Sequence, residues 1–422
     1  MDSILIEGGN ALQGEVQITG AKNSALKLMV AALLSDDPVT LTNMPELADT
    51  GFLAHLMRHL GAEVAIGPTG TMQICAKSLG EPVAPYDLVR KMRATFNVLG
   101  PLLARKGRAQ VSLPGGCAIG ARPVDLHLQA LTALGAQIDL REGYAYAKAP
   151  DGLTGAKISF PFVSVGATEH AMLAAVLAKG ETELLNAARE PEILDLAKLL
   201  NAMGARIKNA GQASIQITGV EKLHGTTYAV VSDRIEAGTY ALAAAACPNS
   251  DVLVRNCVPS DLDALWAVMQ RADIDVQMGE TSVRIRRGPE RLRAVDLETQ
   301  AWPGFPTDLQ AQFMALMTLA DGASIIRETI FENRFMHAPE LSRLGADISV
   351  HGREAVVRGV TGLTGAPVMA TDLRASVSLV IAGLAAKGQT RVSRIYHLDR
   401  GFQNLEANFT ALGANIRRVK DD

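Results

Sequence analysis

The chain has 422 residues, nearly half of them apolar and a fifth charged, a composition suited to two or three ordinary globular domains. Its formal net charge of −3 gives no global pull toward nucleic acid or a membrane surface, and no run reaches the roughly 18 apolar residues of a membrane helix. Four cysteines stand far apart without metal-ligand spacing, so free thiols in a reducing cytoplasm are expected, with no metal and no cofactor.

Few aromatics and abundant Ala, Leu, Val and Gly favour an α/β protein with close helix–sheet approach. Residues 1–7 lack the basic stretch and apolar core of a secretory signal. The first helix is expected over 24–34, behind Lys22 and Asn23. A lysine there opposes the helix dipole, so it reads either as a solvated side chain or as an anion-binding charge, with the balance toward the second. Leu60-Gly61-Ala62-Glu63-Val64 reads as a helix end, a left-handed glycine cap and entry into a strand. A second apolar helix is expected over 92–104, with Arg93 at its head.

The loop 114–126 holds three glycines and two prolines around Cys117. Cys117 is either an incidental turn residue or a reactive thiol, with Arg122 favouring its thiolate; Cys75, Cys247 and Cys257 lie in or beside apolar runs and read as core. The glycine-cap pattern returns at Leu134-Gly135-Ala136-Gln137-Ile138 and Met203-Gly204-Ala205-Arg206-Ile207, with an apolar helix over 168–178 between them, behind Ser164 and Thr168. An Ala-rich helix over 237–246 follows Asp233 and Glu236. A degenerate copy, Arg271-Ala272-Asp273-Ile274, lacks the glycine and is aligned on Ala272.

Helices over 309–320 and 373–386 each follow a Thr-Asp pair, Thr307-Asp308 and Thr371-Asp372. Capping is the common reason for such an aspartate, and general-base chemistry is the alternative. Arg93, Arg334 and Arg400 are surface or ion-pair residues taken singly, and several such arginines beside helix mouths suit phosphate and carboxylate. Leu344-Gly345-Ala346-Asp347-Ile348 and Leu412-Gly413-Ala414-Asn415-Ile416 complete the series.

The pattern therefore recurs six times, about 67 to 74 residues apart, and each period also carries a helix apolar on nearly every face. Six buried helices imply two similar domains of three repeats each. If their N-termini face one another, the cleft between the domains suits anionic ligands.

Eight motifs in register resemble the UDP-N-acetylglucosamine enolpyruvyl transferases. They are Gly20-Ala21-Lys22-Asn23, the 114–126 loop, Ser164-Val165-Gly166-Ala167-Thr168, the run from Asn186 through Glu192, Phe305-Pro306-Thr307-Asp308, the run from Phe331 through His337, the run from Ala370 through Ser376, and Tyr396-His397-Leu398-Asp399-Arg400-Gly401. The resemblance implies an inside-out α/β barrel in two similar domains, each a threefold repeat around buried helices. One spans 22–231; the other spans 232–422 and takes back the first segment, 1–21. It implies transfer of an enolpyruvyl group from phosphoenolpyruvate to a UDP-sugar hydroxyl, in a protein more consistent with a monomer.

By the same resemblance, Cys117 is the proton donor, the carrier of a covalent adduct and the residue that fosfomycin alkylates. Asp308 is the sugar-side base, and Asp372 handles the methyl proton of the intermediate. Lys22, Arg93, Arg122, Arg374 and Arg400 hold phosphate and carboxylate. Asn23, Arg122, Pro123, Val124, Asp125, Leu126, Phe162, Val163, Ser164, Val165, Gly166, Asp308 and Ile330 line the UDP-sugar site, and Arg334 positions Asp372 or the closing interface. Ala48 and Phe162 stand where relatives carry lysine, and Trp302 where smaller or polar residues occur. Two other readings are a shikimate-pathway enolpyruvyl transferase, which lacks the Pro114-Gly115-Gly116-Cys117 loop, and a non-catalytic repeat scaffold.

Overall fold

Alternating burial shapes the strands: Ala323–Arg327 and Ser214–Thr218 each bury every second side chain, so one sheet face packs inward and the other meets water. The computed structural model describes residues 2–90, 92–115 and 124–420. Among these residues there are six four-stranded sheets with one recurring order. Lys157–Ser159 runs parallel to Glu181–Leu185, which pairs antiparallel with Ser214–Thr218, which pairs antiparallel with Arg206–Lys208.

Two compact units form, each with its own core. One contains residues 2–19 and 232–420, the other 20–115 and 124–231. In the first, Asp2–Glu7 lies between Gln389–Ser393 and Asn415–Lys420, and Gln13–Gln17 runs parallel to Asp251–Arg255. The N-terminal segment thus supplies strands to two sheets of the unit that also holds the C-terminal half.

The apolar helices are the buried ones. Every residue of Arg234–Ala246 except Arg234 is buried, as is all of Gln310–Met317, and Leu373–Ala385 is buried over Arg374–Leu384. These three pack on one another. In the other unit Lys22–Ala31, Leu99–Lys106 and Val165–Ala175 fill the corresponding places. Helix starts differ from the expected ones by up to a turn, and two helices open with 3₁₀ turns, Arg93–Val98 and Thr307–Leu309. Cys247 and Cys257 are buried, but Cys75 is only half-buried.

Each repeat closes an outer helix as the sequence suggested. Gly61, Gly135, Gly204, Gly345 and Gly413 have φ between 92° and 99°. The degenerate copy is read two residues out of register. Asp273 takes the glycine's place with φ 64°, and Ile274 takes the alanine's. The amides of Asp273 and Ile274 bond Gln270 and Met269 carbonyls, as those of Gly61 and Ala62 bond Arg58 and Met57. Asp is among the few residues that enter the left-handed region at modest cost.

Candidate functional site

In the first unit, the heads of the three packed helices gather charge. Asp308 sits in the 3₁₀ turn Thr307–Leu309, and its side chain caps nothing. Arg334 Nη2 donates to Oδ1 at 2.9 Å, while Arg374 Nε lies 3.2 Å from Oδ2 and its Nη2 also 3.2 Å. Both arginines are buried, and a quarter of the Asp308 side chain is exposed. Burial alone would raise the Asp308 pKa. The guanidiniums of Arg374 and then Arg334 outweigh it and hold the carboxyl well below the usual range. The turn comes this close because residue 238 is glycine: a Cβ there would stand 2.5 Å from Leu309 Cδ1.

Asp372 does cap. Its Oδ1 accepts from the Arg374 and Ala375 amides at 2.9 and 3.1 Å. The common capping explanation therefore holds for Asp372 and fails for Asp308. Arg334, expected to position Asp372 or the closing interface, is ion-paired with Asp308. His337 is fully buried beside Asp372 and Arg334, and burial pushes its pKa down to about 4. Arg400 closes the 3₁₀ turn Ile395–Arg400; burial and the charge of Arg400 lower His397.

Glu328 was not singled out in the sequence. Its buried carboxylate accepts from the hydroxyls of Thr299 and Thr307 at 3.0 and 2.8 Å and from the amides of Ile330 and Phe331 at 2.9 and 3.1 Å. One acidic side chain thus ties the Asp308 turn to the segment bearing Ile330, whose own side chain is exposed.

In the second unit, Lys22 is not solvated. It pairs with Asp49 at 2.8 Å, and both side chains are buried. Asn23 beside it is exposed, and Arg93 is half-buried. Val124, Asp125 and Leu126 lead into the helix Asp125–Ala133. Ser164 caps Val165–Ala175 by accepting from Ala167 N at 3.3 Å, while Phe162 and Val163 stand exposed before it. Val165 and Gly166 form its half-buried first turn. Ala48 is exposed and Trp302 half-buried.

A histidine pair joins these segments. Gly100 N donates to His170 Nε2 at 2.8 Å, and the two Nδ1 atoms of His127 and His170 are 3.0 Å apart. Burial, with Lys27's charge, pushes His170 down to about 3, so the ring is neutral. Its proton therefore sits on Nδ1 and is donated to His127 Nδ1, which leaves His127 with its own proton on Nε2. A Cβ on Gly166 would meet that ring at 3.2 Å. Cys117, Arg122 and Pro123 lie outside the described residues. Among the described residues no cluster of His, Cys, Asp and Glu is arranged to hold a metal ion, and no helix is long and apolar enough to cross a membrane.

Residues 6–409 match the EPSP synthase (3-phosphoshikimate 1-carboxyvinyltransferase) family. The chain is 64% identical over 422 residues to the UDP-N-acetylglucosamine 1-carboxyvinyltransferase of Maricaulis maris, covering 100% of both chains. It is also 64% identical over 425 residues to the enzyme of that name from Caulobacter sp. (strain K31), covering 100% of this chain and 98% of the other. Among solved structures it resembles the enolpyruvyl transferase NikO from Streptomyces tendae, with TM-score 0.91 and 27% identity over 100% of this chain and 99% of that one.

Proposed function

The chain belongs to the EPSP synthase family of 1-carboxyvinyltransferases, and we propose that within it the protein transfers the enolpyruvyl group of phosphoenolpyruvate to the 3-hydroxyl of UDP-N-acetylglucosamine. The observation that carries this reading is the full-length likeness to the Maricaulis and Caulobacter enzymes. The product feeds peptidoglycan precursor synthesis, and a cytoplasmic monomer is the setting we assign. The likeness to NikO supports an inside-out α/β barrel as the fuller description of the fold.

The chemistry is addition followed by elimination. The hydroxyl oxygen bonds to C2 of phosphoenolpyruvate as Asp308 accepts its proton and Cys117 donates one to C3. Phosphate then leaves from C2, C3 gives up a proton near Asp372, and the double bond re-forms. No oxidation state changes, so no redox cofactor is called for. An Asp308 carboxylate held ionised between two guanidiniums is ready to accept a hydrogen bond from the hydroxyl. We assign Lys22, Arg93, Arg122, Arg374 and Arg400 to the phosphate and carboxylate groups. Asn23, Val124, Asp125, Leu126, Phe162, Val163, Ser164, Val165, Gly166 and Ile330 are assigned to the UDP-sugar.

Phosphate release from phosphoenolpyruvate tests the reading. It should depend on UDP-N-acetylglucosamine and not on shikimate 3-phosphate. Release with the shikimate ester alone would move the protein to the sister reaction, and release with neither would leave only a scaffold.

A further inference from the structure

Glu236 is the third residue of Arg234–Ala246 and only 2% exposed. Its Oε2 is doubly held: Thr19 donates its amide at 3.0 Å and its hydroxyl at 2.8 Å. Its Oε1 is buried without a hydrogen-bond partner. Arg374, on the helix packed against this one, is equally lopsided. Its Nε and Nη2 face Asp308, and its Nη1 is buried without a partner. A buried acceptor and a buried donor are thus each left without a bond in one cluster of helix heads, and an unmade bond is costlier for a charged group than for a neutral one. Gln310 and the Gln312 Oε1 share the cluster and are likewise unpartnered. Gln312 Nε2 ties it to Asp308, donating to the Asp308 carbonyl at 3.0 Å and to Thr239 Oγ1 at 3.2 Å.

We propose that Glu236 is a positioning residue for Asp308: when ionised it draws the unpartnered Nη1 edge of Arg374, directly or through one water, and loosens that guanidinium's hold on the Asp308 carboxylate. The inference rests on the reading of Asp308 as the sugar-side base. A carboxylate gripped by two guanidiniums is a weak proton acceptor, since a base works best with a pKa near the working pH. Sharing Arg374 between two carboxylates raises the basicity of Asp308. Protonated Glu236 makes no such demand, and Arg374 stays wholly on Asp308.

Burial, and then the neighbouring charge of Asp233, push Glu236 up to about 7, against the opposing bonds from Thr19 and the charge of Arg374. Among the described residues, the other charged and titratable groups on its own helix and on the helix heads packed against it include Arg234 at its own head, Tyr240 one turn below, Asp308 on the Thr307–Leu309 turn and Asp372, which caps the helix of Arg374. The proton passes to water as hydronium when the carboxyl ionises and returns the same way. Half-buried Thr19, whose hydroxyl already touches Oε2, is the outward contact.

Two measurements on the full chain decide the matter. In the free protein, the infrared difference between wild type and Glu236→Gln should show a protonated carboxyl that titrates near pH 7; a midpoint in the ordinary glutamate range, about 4.3, overturns the inference. In the enolpyruvyl transfer assay, the wild-type kcat should rise through the same pH. Glu236→Gln, which keeps an oxygen for Thr19, should lose that rise and fall roughly tenfold short at pH 8, the equivalent of one pKa unit of basicity. Identical pH profiles overturn it. Thr19→Val, a second variant should the first fold poorly, removes a bond to the charged form and should move the inflection to higher pH. A wild type with no transfer activity refutes the proposed reaction, while the infrared titration of Glu236, which needs no turnover, still supports or overturns the raised carboxyl.

Discussion

Asp308 and Asp372 each follow a threonine at the head of a buried helix, so the sequence treats them alike. Folding separates them. Asp372 spends its carboxylate on two amides of its own helix, and Asp308 spends its on two arginines from elsewhere in the unit. The difference bears on what an asparagine does. At a cap, Asn and Asp are nearly equivalent. At position 308, an amide leaves two buried guanidiniums without their counter-charge. We expect Asp308→Asn to cost about 1–3 kcal/mol at pH 7, below the 3–5 of a fully buried pair because the carboxylate is partly exposed. The folded carboxyl is held below its unfolded value, so it stabilises the fold above about pH 4, and that contribution fades as pH falls further. Denaturant melts of both proteins should therefore differ most at pH 7 and converge in acid. Turnover should fall at least about 100-fold. Equal stability at pH 7 would mean the two ion pairs contribute nothing, and near-normal turnover would send the search for the base to Asp372.

At the scale of the repeated element, five repeats place glycine after the outer helix and the fourth places Asp273 there. A side chain in the left-handed region costs about 1 kcal/mol, and little offsets it here. The Asp273 carboxylate pairs with Arg293 at 3.2 Å, but both are well exposed, and such pairs are worth little. Asp273→Gly should thus stabilise the chain by about 0.5–1 kcal/mol. Gly359 is the opposite case. Its amide bonds Gly322 O, and a Cβ would stand 1.7 Å from the backbone oxygen of Ala320. No rotamer relieves a clash with backbone, so Gly359→Ala should lose about 3 kcal/mol or more. Paired urea melts check both signs; a destabilised Asp273→Gly or a neutral Gly359→Ala would show that the repeat geometry is misread.

Over the whole chain, the repeat and the apolar helices were legible in the sequence because glycine caps and all-round apolarity leave local marks. Contacts between distant residues leave none. Thr19 and Glu236 lie 217 positions apart, and the Glu328 and His127–His170 arrangements join side chains whose types alone say nothing. The same non-local wiring predicts how the chain comes apart. Residues 20–231 hold their own core and sheets, within the usual size of a domain, and should fold as an isolated fragment. Residues 232–422 should not. They lack the strand Asp2–Glu7, which pairs on both edges inside its sheet, and the buried side chains Ile4, Ile6, Leu12, Val16 and Ile18. Without them Gln389–Ser393 and Asn415–Lys420 have no shared partner, and Glu236 loses both Thr19 bonds. Circular dichroism and urea melts of the two fragments should show a cooperative transition for 20–231 and none for 232–422. Adding a peptide of residues 1–19 should restore the transition to the second fragment, in proportion to peptide concentration. A cooperative 232–422 fragment without the peptide would mean that the N-terminal strand decorates a finished fold and does not complete it.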